Sequence, residues 1–314
     1  MVDTVPANTA MNLLTLYTWP KSFADDHIAR IQRNAVRSWL QLDPKPHILV
    51  FGDEPGVSQY CAEFGLTRVS DPMELIDGTV RIRDMAAKAE ALSATQFYCF
   101  INADIILTNS LMQAIPGVSS TFKRFLLGAS PWNLNITADL KYEPGWEEAI
   151  EKQARAENDL RPRACADFFL YPRGYLASAP GLIVGRPYID NGLMWYTRKR
   201  GDALIDATPG IFTVHQNHHY KHFGEKAERK GETAGALFNL EALGGRGRLY
   251  TWANATDHYM KDGLHKYWAG RICRWSTHVT QGSRASKVFN RLIWKAAAIA
   301  SRPVRKVLSL ANPR

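Results

Sequence analysis

The chain has 314 residues, 46% of them hydrophobic and 22% charged, and a formal net charge of +9. This is an ordinary soluble globular composition, long enough to bury a full core in one large domain or in a domain with an appendage. Four scattered cysteines without a CxxC pair argue against a disulfide frame and for a reducing compartment, and the absence of any uncharged apolar run of about 18 residues argues against a membrane span.

The opening MVDTVPANTA lacks a basic stretch followed by an apolar one, so no secretion signal is expected. LLTLYTW (Leu13 to Trp19) and HILVFG (His47 to Gly52) read as strands. Between them Ile28, Ile31, Ala35, Val36 and Trp39 recur at helical spacing behind an aspartate cap, which makes a βαβ unit. VSQYCAEFGL and RDMAAKAEALSA add two helices before an apolar run at Phe97. This order predicts an α/β fold built on a single, mostly parallel mixed sheet with helices on both faces.

Ligands of open parallel sheets bind beyond the carboxyl ends of the strands, where Asp53 and Asp104 both fall. Asp53, in GDEPG, reads equally as a cap or turn residue. Asp104 interrupts FINADIILTN, whose apolar residues from Phe97 to Leu107 read as a buried strand, and an unpaired carboxylate in such a place costs several kcal/mol. A salt bridge to Arg81 or Arg83 would meet that charge; so would a hard divalent cation bridging to a diphosphate.

From Pro131 the pattern loosens, with one further helix in PGWEEAIEKQARAEN. Asp167, in ACADFFLYPRG, and the pair Asp190-Asn191, opening a helix in GRPYIDNGLMWY, are candidates for gripping a polyol or accepting a hydroxyl proton; a helix cap is the plainer role for Asp190. VHQNHHYKH places His215, His218, His219 and His222 within eight residues, which fits either a metal site or a solvated loop.

From Gly263 onward there are eleven Lys or Arg and no acid, while the residues before it are slightly acidic in sum. Between residues 284 and 302 the basic side chains fall within an arc of about 80°, with apolar residues opposite, as in an amphipathic helix. The expected organisation is a catalytic domain over 1–262 and a basic segment over 263–314. Residues 284–306 are read as a contact for an anionic membrane surface or as a helix docked on the domain. No nucleic-acid motif is found.

TLYTWP, ILVFGDEPGV, FINADIIL, ADFFLYPRGYL, IVGRPYIDNGLMW and VHQNHHYKH, in this order, resemble nucleotide-sugar glycosyltransferases of the GT-A type over about three quarters of the chain. The resemblance implies a nucleotide-binding α/β fold and a divalent metal cofactor, Mn²⁺ or Mg²⁺. It implies transfer of a sugar from a nucleotide sugar to a hydroxyl of a glycan or lipid-linked acceptor. By position, Thr18, Trp19, Asp53, Arg83, Asp84, Asn102 and Asp104 would contact the donor. Asn102-Ala103-Asp104 stands where the family carries Asp-x-Asp, with asparagine in place of the first acid. Asp104, His215 and His222 would hold the metal, and His219 stands where relatives carry aspartate. Asp167 and Asn191 would meet the acceptor. Asp190 would be the base of an inverting enzyme or an acceptor contact in a retaining one. A cytoplasmic enzyme, peripheral on the inner membrane face, is expected. Two rivals share the same residues: a metal-dependent hydrolase built on the histidine loop, and a sugar- or lipid-binding protein without activity.

Overall fold

Asp25 stands where the aspartate cap is expected, its carboxylate accepting hydrogen bonds from the amides of His27 and Ile28, an arrangement that typically stabilises a helix by about 1 kcal/mol. The first helix, α1 (Asp26–Trp39), follows β1 (Leu14–Thr18) and leads into β2 (His47–Phe51). A computed structural model of the chain describes residues 13–218, 233–268 and 270.

The remaining elements alternate as the apolar pattern requires: α2 (Val57–Phe64), β3 (Thr67–Val69), α3 (Ile82–Leu92) and β4 (Phe97–Ile101). Then come β5 (Ile105–Leu107), α4 (Ser110–Thr121), β6 (Phe125–Gly128), β7 (Trp132–Leu134) and α5 (Trp146–Glu157). The chain continues through β8 (Phe168–Pro172), α6 (Ile189–Arg200), β9 (Ala203–Asp206) and β10 (Thr213–Gln216). The last are α7 (Ala234–Leu243), a 3-10 turn at Arg246–Arg248, and the pair β11 (Asp257–Met260) and β12 (Gly263–Lys266).

The main sheet has nine strands in the order β12-β11-β9-β6-β8-β4-β1-β2-β3. It is parallel except where β8 runs against both its neighbours and where β12 folds back on β11. Side chains alternate between two buried faces, as strands covered on both sides must. Leu14, Leu16, Phe97, Cys99 and Ile101 pack into one apolar layer with Val36 and Trp39 of α1, and Tyr17, Tyr98 and Phe100 pack into the other with Met85 and Leu193. Cys99 is fully buried and fills space as a small hydrophobe.

A second sheet of three strands, β5-β10-β7, accompanies the first, and the sequence pattern does not announce it. The run from Phe97 to Leu107 is therefore two strands and not one: β4 belongs to the large sheet and β5 to the small one. Asp104 lies in the turn between them, where the Ile105 amide donates to the Asn102 carbonyl at 3.2 Å. The domain boundary expected after residue 262 also moves. β12 pairs with β11 from Gly263 to Lys266, so those residues complete the large sheet. The amphipathic stretch 284–306 lies outside the described residues. Among the described residues no helix is long and apolar enough to cross a membrane.

Candidate active site

The carboxyl ends of β1 and β4, the start of β8 and the start of α6 border one cleft of about 880 Å³. Topology brings its acids together. Because β8 is antiparallel to β4, with Ile101 opposite Phe168, the residue after β4 meets the residue before β8. These are Asn102 and Asp167, and the Asn102 Nδ2 donates to Asp167 Oδ1 at 2.9 Å. The Arg161 guanidinium holds the other oxygen at 3.3 Å.

Asp104 is set by the small sheet. β10 runs against β5 with His215 opposite Ile105, so His215 comes up beside Asp104, and the chain leaving β10 brings His218 to the same carboxylate. His218 Nε2 lies 2.8 Å and His215 Nε2 3.6 Å from Asp104 Oδ2. The three side chains are only 12%, 5% and 1% exposed for Asp104, His215 and His218 respectively. Gln216 locks the turn from behind, donating from Nε2 to the Asp104 carbonyl at 3.0 Å and to the Ile31 carbonyl at 2.7 Å. The salt bridge considered from Arg81 or Arg83 to Asp104 is not formed; Arg81 pairs with Glu74 and Asp84, and Arg83 with Asp84.

The donor set fits a divalent cation. One carboxylate oxygen and two imidazoles lie within 4.8 Å of one another. Asp104 Oδ1 is buried with no hydrogen-bond partner, an expensive state for a carboxylate oxygen that a cation would relieve. Burial alone would raise the Asp104 carboxyl, but the His218 hydrogen bond and the charges of His215, His218 and Lys21 hold it well below the usual carboxylate range. Burial pushes the His215 imidazole down, toward the neutral form that binds metals.

Asp190 lines the same cleft from the first turn of α6. The residue preceding that helix is Tyr188, in a left-handed conformation with φ +74, so Asp190 does not serve as its cap. Burial, with the Asp167 charge adding to it, pushes the Asp190 carboxyl up to about 8, although its Oδ2 accepts a hydrogen bond from the Ala166 amide at 3.3 Å. Two acids on one wall thus sit in unlike surroundings: Asp167 held by Arg161 and Asn102, and Asp190 poised to exchange a proton near neutral pH.

The other candidates divide. Trp19 lines the cleft and lies against Gly52, where a Cβ would come within 2.9 Å of the indole and φ is +92, a backbone that favours glycine. Thr18 is fully buried behind it and does not reach the cleft. Asp53 points to solvent and pairs with Arg68, because the chain turns outward at Gly52; its neighbour Glu54 lines the cleft instead. Arg83 and Asp84 pair with each other on α3 away from the cleft, since the first turn of that helix faces the segment around Gly181. Asn191 donates to the carbonyls of Ala164 and Tyr250 and so ties α6 to two loops. His219 and His222, the second of them expected as a metal ligand, lie outside the described residues; among the described residues His218 joins His215 at Asp104. Lys21 and Arg161 also line the cleft and escape a sequence reading. The Lys21 Nζ approaches His218 Nε2 at 3.4 Å, and its signal in the sequence is only its position directly after the first strand.

With Asn102 donating directly to Asp167 at 2.9 Å, Asn102→Asp is expected to set two carboxylates against each other. It should lower stability by about 1–3 kcal/mol at pH 7, with the loss shrinking below about pH 4 as the pair takes up a proton. Denaturant unfolding of both proteins at the two pH values measures this; equal stabilities at pH 7 would mean that the amide does not matter.

No protein-family model matches this sequence, and no curated protein matches it. Among solved structures it is similar to glucosyl-3-phosphoglycerate synthase from Mycobacterium tuberculosis in complex with Mn²⁺, uridine diphosphate and phosphoglyceric acid. The TM-score is 0.46 at 14% identity, covering 75% of this chain and 80% of that one. It is also similar to S. aureus TarS 1-349 in complex with UDP-GlcNAc, with a TM-score of 0.31 at 12% identity over 42% of this chain and 37% of that one. Likeness at this level transfers no chemistry, and the residues of the cleft have to carry the functional reading.

Proposed function

We propose that the protein is a metal-assisted glycosyltransferase of the GT-A type, moving a sugar from a nucleoside diphosphate donor to a hydroxyl acceptor. The observation that carries this reading is the pairing, in one cleft, of a buried Asp104-His215-His218 set with a separate carboxyl, Asp190, raised toward neutrality. The first is a site for a cation and the second is a group suited to take a proton.

Asp104, His215 and His218 would hold a divalent cation, which when bound would neutralise charge on the leaving diphosphate. Two imidazoles beside one carboxylate suit Mn²⁺ better than Mg²⁺, which prefers an all-oxygen shell. Lys21, beside His218 at the cleft wall, adds positive charge where the phosphates would lie. Asp190 accepts the proton of the acceptor hydroxyl at a carboxylate oxygen as that hydroxyl bonds to the sugar and the nucleoside diphosphate departs. Asp167, fixed by Arg161 and Asn102, binds acceptor hydroxyls, and burial of Asp190 together with the Asp167 charge keeps Asp190 basic.

The reading is tested by titrating the protein with a panel of nucleoside diphosphates and nucleotide sugars, with and without Mn²⁺. Tight, metal-dependent binding of one nucleotide class is the expected result. Binding of none would return the histidine cluster to the hydrolase alternative, which predicts turnover of a phosphate ester without a sugar acceptor.

A lipid-linked acceptor and attachment to an anionic membrane belong to the same reading, supported by the basic amphipathic pattern over 284–306. Because β12 belongs to the fold, the comparison to make is between the full chain and one ending at Gly270. The full chain should sediment with phosphatidylglycerol vesicles and the shortened one should not; equal sedimentation would remove the anchor role.

A further inference from the structure

A second cleft, of about 480 Å³, opens between α3, the C-terminal half of α6 and the Arg246–Arg248 turn. Arg83, Lys199, Arg200 and Arg248 line it together with Trp195, and no acidic residue does. We propose that this cleft is a binding site for a phosphate-bearing anion, distinct from the catalytic cleft.

Helix ends attract basic side chains, so a cationic last turn on α6 is unremarkable by itself. Its members differ in what they do, however. Arg198 is buried and donates to the Gly270 carbonyl at 3.2 Å, which ties the helix to the chain after β12. Arg200 pairs with Asp202 at 3.0 Å and hydrogen-bonds Ser178 at 2.8 Å, so its fork is held in place at the cleft wall. Lys199 and Arg248, both exposed, form no ion pair with the described residues. Each instead packs on the Trp195 ring, 5.0 Å from its centroid. Arg248 is further braced by donating to the Leu243 carbonyl at 2.5 Å.

Arg83 and Arg200 across the concave surface are each paired with an acid, Asp84 and Asp202, whereas the two cations held on one indole repel each other. An anion entering between them relieves that repulsion and meets donors that are already oriented. Guanidinium forks match two oxygens of a phosphate at once, and a phosphate group has a third oxygen for a further cation where a carboxylate has only two. The volume suits a phosphorylated small molecule or a phospholipid headgroup. The proposal does not depend on the transferase reading, because none of these residues lines the first cleft.

The test is calorimetric titration of the full chain with inorganic pyrophosphate and with glycerol 3-phosphate, in EDTA to remove divalent metal. A parallel arm measures sedimentation with phosphatidylglycerol against phosphatidylcholine vesicles. The proteins are wild type and Lys199→Ser/Arg248→Ser. Both substituted cations are on the surface, and unfolding curves confirm that the double variant is folded. Wild type should bind, and the double variant about tenfold or more weaker, the effect of removing two charge-assisted contacts. A loss confined to the soluble anions identifies a metabolite site; a loss that extends to phosphatidylglycerol vesicles identifies a headgroup site. If the double variant matches wild type in both arms, or wild type binds in neither, the cleft is not an anion site.

Discussion

Asp190→Asn is expected to cut sugar transfer by about 10²–10⁴-fold while leaving metal-dependent nucleotide binding intact, the usual cost of losing a general base. The substitution keeps the shape of the side chain and removes its ability to take a proton. The pH dependence gives a second reading. The carboxyl must be ionised to act, and burial with the Asp167 charge holds it at about 8, so kcat/KM of the wild type should climb with pH and level off above that value.

Stability should move the opposite way. A carboxyl whose folded pKa lies at about 8, against an ordinary 3.8, holds its proton more tightly when folded. Its stabilising contribution is complete below about pH 4 and is lost as pH rises through 8. Asp190→Asn has no such loss, so thermal melts across this window should show the inactive variant gaining on wild type and ending the more stable of the two. Parallel melting curves together with near-normal turnover would remove Asp190 from the base role.

Asp104→Asn is expected to abolish metal-dependent nucleotide binding. The loss should exceed the roughly 10–100-fold that removal of an outer-shell partner costs, because a direct ligand and its charge both go. Wild type should show tighter nucleotide binding with Mn²⁺ than with Mg²⁺, and the variant should show little response to either. Calorimetry with and without each metal measures this, and unfolding curves control for the loss of the His218 contact at 2.8 Å. Unchanged metal-dependent binding would mean that the buried carboxylate serves only to pair the two histidines.

Much of the site was within reach of a sequence reading, for reasons that differ by residue. Asp104 stands out because its apolar flanks make a lone carboxylate costly, and Asp190 because a polar pair opens an otherwise apolar helix. His215 belongs to a dense histidine cluster that the sequence displays, but that His218 also reaches Asp104 depends on how the chain leaves β10, which no spacing rule supplies. Asp53 looked like a site residue on topology alone, and a turn at Gly52 with φ +92 sends it to solvent. Arg161 had no sequence signal at all, since only folding puts it beside Asp167.

The local pattern of apolar residues by itself determined β1, α1, β2, α2, α3, the apolar run that opens at Phe97 and α5, because period and capping are properties of neighbours in the chain. Which residues meet was decided by tertiary structure alone. The antiparallel insertion of β8 places Asp167 against Asn102, across a sequence separation of 65. The split of one apolar run into β4 and β5 turns Asp104 toward β10 and its histidines, more than 100 residues on. Those contacts follow from strand order and direction, which depend on how distant segments pack and not on the residues on either side of each one.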